Sequence, residues 1–373
     1  MAGGLPAVGH LAALRAVTHL AAALARPAGR EYRPVMARKN HRFTLAARPS
    51  GLPKPTDFAF DEEAVRELGD GELLVQVQYI SLDPAMRGWM NESKSYIRPV
   101  AIGEVMRAGA IGRVIESRNP GFSVDSHVIG TFGLQEYAIT SGEGVTPIDP
   151  RLSPALVPLP VMLSTLGMPG LTAYFGLLDV GKPVAGNTVV VSGAAGAVGS
   201  AVGQIAKIHG CRAVGIAGGA DKCRYLTELG FDAAIDYKAG DLRDALRQHC
   251  PQGIDVFFDN VGGDVLDAAL ARLAMRARIV ICGAISQYNN TAPGKGPSNY
   301  MSLLVHRASM TGMVVFDYAP RYAAAIAEMA QWMAAGKLRS KEDIVRGLDQ
   351  FPHALLKLFT GENNGKLMLE LPV

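Results

Sequence analysis

The hydrophobic pattern changes period once along the chain. From Asn40 to about Pro160, short apolar runs are cut by glycine and proline: "ELLVQVQYISL" (72–82) alternates well enough for a half-buried strand, and "AGAIGRVIES" (108–117) for another. This part predicts a β-rich domain whose loops can line a site. From about Leu171, strand-like and helix-like runs alternate instead. "TVVVSG" precedes a helix to His209, "RAVGIAG" one over "DKCRYLTELG", "AAIDY" one over "DLRDALRQHC", and "IDVFFDN" one through "DVLDAALARLA"; "RIVICGA" and "MTGMVVF" complete the series. Such alternation implies a parallel sheet covered on both faces. Six strands match the doubly wound, dinucleotide-binding arrangement. A long helix over "RYAAAIAEMAQWMAAGKL" ends at Gly336, and a last strand, "KLMLELP", has to return to one of the two domains. The fold class is therefore α/β: a Rossmann doubly wound parallel sheet joined to a second, β-rich domain.

Composition narrows the partners. A chain of 373 residues exceeds what one core usually serves and implies about two domains. Its net charge of +3 is too small to imply nucleic acid or an anionic membrane, which leaves a small molecule. The four cysteines, Cys211, Cys223, Cys250 and Cys282, form no C-x-x-C, so they suggest neither a zinc knuckle nor a disulfide framework and fit a reducing, cytoplasmic compartment. Residues 1–36 are rich in alanine, leucine and arginine, with Glu31 their only acid. They read either as an amphipathic transit leader or as an upstream mis-start before Met36, in both cases disordered or loosely helical. Arg15, His19 and Arg26 interrupt the segment before it could span a bilayer, so the protein is expected to be soluble.

The stretch "VVVSGAAGAVGSAVGQIAKIHG" (189–210) carries the first chemistry. Val189 to Val191 suit a strand buried on both faces, and Val198, Val202 and Ile205 recur at helical spacing, so Gly193, Gly196 and Gly199 lie between strand and helix. This G-x-x-G-x-x-G is a variant of the dinucleotide fingerprint, and the bare amides at the helix start can hold a phosphate. NAD sites place an acid near the end of the next strand; here the chain reads "GIAGGADK". Gly218 and Gly219 leave room there and Lys222 can meet a 2′-phosphate, which favours NADP(H); Asp221 reads either as an NAD ligand or as a helix cap. Two more strand ends, "FFDNVGG" with Asn260 and "ICGAISQY" with Cys282, Gly283, Ser286 and Tyr288, point to the same cleft. Asp83 and Pro84 read as an N-cap and first helical residue.

Taken in order, "SLDPAMRGWM", "GMPGLTAYFGLLDVG", "AAGAVGS", "GGADKC", "FFDNVGG", "ICGAISQYN" and "GENNGK" resemble the zinc-free medium-chain dehydrogenase/reductases, within them the prostaglandin reductase (leukotriene hydroxydehydrogenase) and NADPH-dependent curcumin reductase group. The likeness runs from about Arg38 to Leu371. It implies a GroES-like catalytic domain (37–165), a Rossmann NADP-binding domain (166–330) and a C-terminal return to the catalytic domain (331–373). It also implies NADPH-dependent reduction of the double bond conjugated to a ketone or aldehyde, with a quinone oxidoreductase or a non-catalytic NADPH-binding protein as alternatives. Carried over by motif, the cofactor positions are Gly196, Ala197, Val198, Gly199, Lys222, Tyr237, Asn260, Cys282, Gly283, Ala284, Ile285, Ser286, Gln287, Tyr288, Met313, Val314, Val315 and Asn363. Tyr237 reads equally as a surface tyrosine at a strand end.

Zinc-bearing relatives present G-H-E where this chain reads "IGEVMRAG", so no metal is expected. Tyr96 resembles the tyrosine proposed as catalytic in the curcumin reductase branch and reads otherwise as an aromatic residue packing the cleft wall, with the cofactor's ribose hydroxyl or water as the alternative proton donor; Tyr288 is expected to orient the cofactor or act beside it. Arg87 matches the arginine of the family's "DPYMR" motif at the substrate entrance; Ala85 replaces the tyrosine of that motif. A homodimer is implied by the same resemblance.

Overall fold

The computed structural model of the protein describes residues 38–149, 157–292 and 294–372. The leader read over residues 1–36 lies outside them. β1 (Lys39–Leu45) and β2 (Phe58–Ala64) form an antiparallel pair. They are followed by β3 (Leu73–Ser81), α1 (Ala85–Trp89), β4 (Ala110–Ser117), β5 (His127–Gly130), β6 (Tyr137–Thr140) and β7 (Thr146–Pro147). β3 was expected to be half-buried, yet seven of its nine residues are buried. It pairs with β4 along one edge and with β6 and β15 along the other, and residues on both of its faces are buried.

After α2 (Met168–Phe175) the pattern turns parallel: β8 (Thr188–Ser192), α3 (Ala197–Ile208), β9 (Arg212–Ala217), α4 (Ala220–Glu228), β10 (Ala233–Asp236), α5 (Leu242–His249), β11 (Ile254–Asp259), α6 (Gly263–Leu270), β12 (Leu273–Ile281), α7 (Ser302–His306) and β13 (Ser309–Gly312). The strands order as β10-β9-β8-β11-β12-β13, all parallel. In chain order this is 3-2-1-4-5-6, the doubly wound arrangement whose switch point lies between β8 and β11. All five residues of β8 are buried, as a central strand covered on both faces requires.

The last elements are α8 (Tyr322–Ala334), β14 (Glu342–Arg346), α9 (Phe351–Thr360) and β15 (Lys366–Glu370). β15 runs antiparallel to β3, Leu369 facing Ile80, so the chain's end completes the first sheet. Phe351 locks it there, its ring 5.2 Å from Phe43 and 4.8 Å from Phe58. Each such buried ring contributes roughly 2 to 3 kcal/mol through the surface it removes from water.

Three local expectations are corrected. The helix predicted through Ala274 stops at Leu270, because Leu273 pairs with Ile254 and opens β12. The strand predicted to Phe316 stops at Gly312: its partner β12 ends at Ile281, and a 3-10 turn follows from Val315. Asp83 caps nothing with its side chain; Pro84 occupies the N-cap position, and the Asp83 carboxylate accepts from Lys366 Nζ at 2.6 Å and from Ser81 Oγ at 2.5 Å.

Candidate active site

A cleft of about 2080 Å³ opens at the carboxyl ends of β8, β9 and β11 and extends between the two sheets. Gly193 turns the chain with φ +58, and Gly196 takes the N-cap position of α3 with no side-chain cap. The first amides of that helix therefore have no partner within it. A side chain at Gly199 would stand 2.5 Å from the Gly193 carbonyl, which is why the turn can tighten only around glycine. Ala197, Val198 and Gly199 line the cleft, so this cradle fits a pyrophosphate.

One corner of the cleft is cationic. Past the end of β9, Gly218 and Lys222 line the cleft together with Tyr237 and Lys238 past the end of β10. A Cβ at Gly218 would fall 2.9 Å from the Tyr237 ring, so glycine keeps this corner open. Lys222 Nζ donates to the Gly361 carbonyl at 2.7 Å. Burial, reinforced by the neighbouring Lys238, pushes the Lys222 pKa below the usual lysine range. Two ammonium groups in one corner suit a dianionic phosphate. Asp221 does not share it: it is exposed in the first turn of α4 and pairs with Arg224, while Gly219 takes the N-cap position.

A buried carboxylate that sequence reasoning did not single out organises the turn after β11. Asp259 accepts from Ser192 Oγ at 2.7 Å and from the amides of Val261 and Gly262 at 3.0 Å. Asn260 is held in turn, its amide donating to Ser192 Oγ and its Nδ2 to the Ser192 carbonyl, both at 2.8 Å. Burial raises the Asp259 pKa, opposed by these donors. The 282–288 loop folds over this turn, Cys282 and Gly283 donating their amides to the Asp259 carbonyl. Burial raises the Cys282 thiol to about 12, so it stays protonated and unreactive. Within the loop, Ala284 does not line the cleft; its amide donates to the Tyr288 hydroxyl at 3.2 Å.

Tyr96 and Tyr288 both line the cleft. Burial raises the Tyr288 pKa and Tyr96 adds to the shift, so the two phenols lie within electrostatic range. Tyr96 is 59% exposed and packs against Phe316, ring centroids 6.2 Å apart. Met313, Val314 and Val315 form an apolar floor, and Asn363 arrives on the C-terminal segment, where Gly365 bridges to Gly196.

Arg87 is placed otherwise than the sequence reading expected. It is 3% exposed and lies off the cleft wall. Its guanidinium donates to the carbonyls of Pro49 and Gly51 and to the side chains of Asn91 and Asn289. Through Asn289 it ties the loop carrying Tyr288 to α1. Four residues that sequence reasoning did not single out line the cleft: Lys238, next to Tyr237; Lys366 in "GENNGK"; Trp89 in "SLDPAMRGWM"; and Arg107 in "IGEVMRAG", none of them given a role by the motif it stands in. Among the described residues no group of three His, Cys, Asp or Glu could hold a metal ion. Glu104, the acid nearest the zinc motif of relatives, is committed to Arg98 and to the Ala101 amide, so the donor set does not fit zinc.

Comparison with known proteins agrees with this geometry. A family model described as the N-terminal domain of oxidoreductase matches residues 41–148, and one described as zinc-binding dehydrogenase matches 197–334. The chain is 46% identical to a putative NADP-dependent oxidoreductase, YfmJ, of Bacillus subtilis (strain 168), across 90% of this chain and 99% of that protein. It is 42% identical to the NADPH-dependent curcumin reductase of Escherichia coli (strain K12), across 89% and 97%. The crystal structure of CurA in complex with NADPH from Vibrio vulnificus superposes with a TM-score of 0.84 at 43% identity, covering 89% of this chain and 99% of that one.

Proposed function

Since the chain belongs to the zinc-free medium-chain dehydrogenase/reductases, we propose that it reduces the carbon–carbon double bond of α,β-unsaturated ketones and aldehydes with NADPH. One observation carries this reading: amide donors, paired lysines and two phenols converge on one cleft. The bound cofactor supplies a hydride to the β-carbon of the enone. The amides of Ala197, Val198 and Gly199 hold the pyrophosphate, Lys222 and Lys238 the 2′-phosphate, and Tyr237 closes that corner. Asn260, the 282–288 loop, Met313 to Val315 and Asn363 fix the nicotinamide half.

Negative charge that grows on the substrate carbonyl oxygen is stabilised by a hydrogen-bond donor. We assign proton delivery to Tyr96, whose phenol is an O–H donor in the cleft wall beside Phe316. Burial raises the Tyr288 pKa, so that phenol keeps its proton, and its oxygen, held by the Ala284 amide, sets the loop beside the cofactor. Hydride at the β-carbon and a proton at the α-carbon leave the carbonyl intact. Arg87 acts through Asn289 as a positioning residue.

NADPH oxidation against enals, enones and quinones, with NADH alongside, tests the reading. Turnover of enones with NADPH preferred is expected, and Tyr96→Phe should lower kcat by about 100-fold. Consumption of NADPH by quinones alone, or by nothing, would overturn it.

We take 37–165 as the GroES-like catalytic domain, 166–330 as the Rossmann domain and 331–373 as the return. We further infer a homodimer formed across β13. That strand is the last of its sheet, and Leu304 and Val305 on the adjoining α7 are 68% and 61% exposed. Light scattering on the purified protein tests this: a dimeric mass is expected, and a monomer would contradict it. The four free cysteines support a cytoplasmic enzyme, and among the described residues no helix is long and apolar enough to cross a membrane.

A further inference from the structure

Arg107 stands in the cleft wall without a carboxylate partner among the described residues. Its Nη1 donates to the Arg98 carbonyl at 2.8 Å, and its guanidinium lies 5.7 Å from the centre of the Trp89 ring. The acid that acts on it, Glu104, is already taken: one oxygen pairs with Arg98 Nη2 at 2.6 Å and the other accepts from the Ala101 amide at 2.8 Å. Of the five N–H groups of an arginine, most are therefore left over. Burial makes the charge costlier, lowering the Arg107 pKa, yet a guanidinium stays protonated. An aromatic platform under such a group fixes its plane.

The approach to this fork is open. Ala85 and Trp89 stand four residues apart on α1 and share a face, and both line the cleft. A methyl group at Ala85, where the family motif carries a tyrosine, leaves the Trp89 platform and the guanidinium on it accessible from the substrate side. Trp89 Nε1–H is itself buried without an acceptor, a second unmet donor in the same wall.

We propose that Arg107, carried on Trp89, binds a carboxylate at the far end of the substrate, so that enones bearing a terminal acid are preferred over their neutral analogues. The planar fork matches a carboxylate's two oxygens, and a single unpaired cation matches its single charge. A phosphate would call for a second cation, and Arg98 is already paired. The proposal rests on the enone-reductase reading of the same cleft.

The test compares an aliphatic enone ending in a carboxylate with its methyl ester, on the wild-type enzyme, Arg107→Met and Arg107→Lys. The wild type should show a KM at least 10-fold lower for the acid at equal kcat, because tail binding is the same in the ground and transition states. Arg107→Met should remove that gap while ester kinetics change less than 2-fold, which also shows that the variant is folded; Arg107→Lys should restore part of it. Equal KM for acid and ester in the wild type, or equal losses on both substrates in Arg107→Met, would overturn the proposal. Should neither enone be reduced, the enone reading fails separately. The subsite is then judged by binding of the saturated acid and ester to the NADPH complex, followed by NADPH fluorescence, where equal affinities overturn it and 10-fold tighter acid binding, lost in Arg107→Met, supports it.

Discussion

Lys222 Nζ donates to the carbonyl of Gly361 at 2.7 Å, joining residues 139 positions apart. Gly361 is the left-handed C-cap of α9, so the ammonium docks at the negative end of a helix. A phosphate arriving in this corner finds a cation already fixed in place by the C-terminal segment.

Removing that cation should change the choice of dinucleotide. A charge-assisted hydrogen bond contributes roughly 1.5 to 3 kcal/mol, so Lys222→Ala is expected to weaken NADPH binding about 10- to 100-fold and leave NADH binding unchanged. Fluorescence titration with both cofactors measures this. Equal losses for both would show that Lys222 supports the fold instead of reading the 2′-phosphate.

The glycine turn predicts a ranking. A Cβ at Gly199 would meet backbone, 2.5 Å from the Gly193 carbonyl and 2.7 Å from Ala194 Cα, whereas one at Gly196 would be 3.3 Å from its nearest atom. Gly199→Ala should therefore lower both Tm and NADPH affinity, the latter at least 10-fold, and Gly196→Ala should lower Tm less. Calorimetry and titration of the two variants check the order.

Asp83 and Lys366 tie the start of α1 to the returning β15, the lysine side chain only 2% exposed and the aspartate 31%. Breaking a buried pair by removing one partner costs about 3 kcal/mol, most where the remaining charge has least access to water. Asp83→Asn leaves Lys366 with the Leu82 carbonyl as its other acceptor, so it should destabilise more than Lys366→Met. Urea unfolding of both variants gives the comparison.

These contacts mark the limit of what the sequence reveals. The parallel sheet was legible because each strand and helix carries its own period, and the glycine turn because its spacing is local. The Asp83–Lys366 pair, the Arg87–Asn289 tie and the placement of Arg107 on Trp89 depend on which elements meet in space, and no periodicity encodes that. The overrun of α6 has a related cause: the apolar spacing of "ALARLA" suits a helix, but pairing of Leu273 with Ile254 claims the segment for β12. Asp83 misled in the opposite direction, its Asp-Pro sequence matching a helix start while its carboxylate was used elsewhere.

Stability should fall at high pH for a specific reason. Burial first, and the nearby Glu342 second, raise the Tyr225 pKa from 10.0 to about 12. The folded chain then holds a proton that the unfolded chain releases earlier. Its contribution is complete below pH 10 and is lost as pH rises toward about 12. Tyr225→Phe should flatten the decline of Tm across that window; an unchanged slope would place the effect elsewhere.

The central claim is tested most directly by following the hydride. With NADPH deuterated at the transferable position and benzylideneacetone as substrate, the account predicts a saturated ketone carrying deuterium on its β-carbon, a solvent proton on its α-carbon and an untouched carbonyl. Deuterium on the carbonyl carbon of an allylic alcohol, or an enone recovered unlabelled while quinones consume the cofactor, would contradict it.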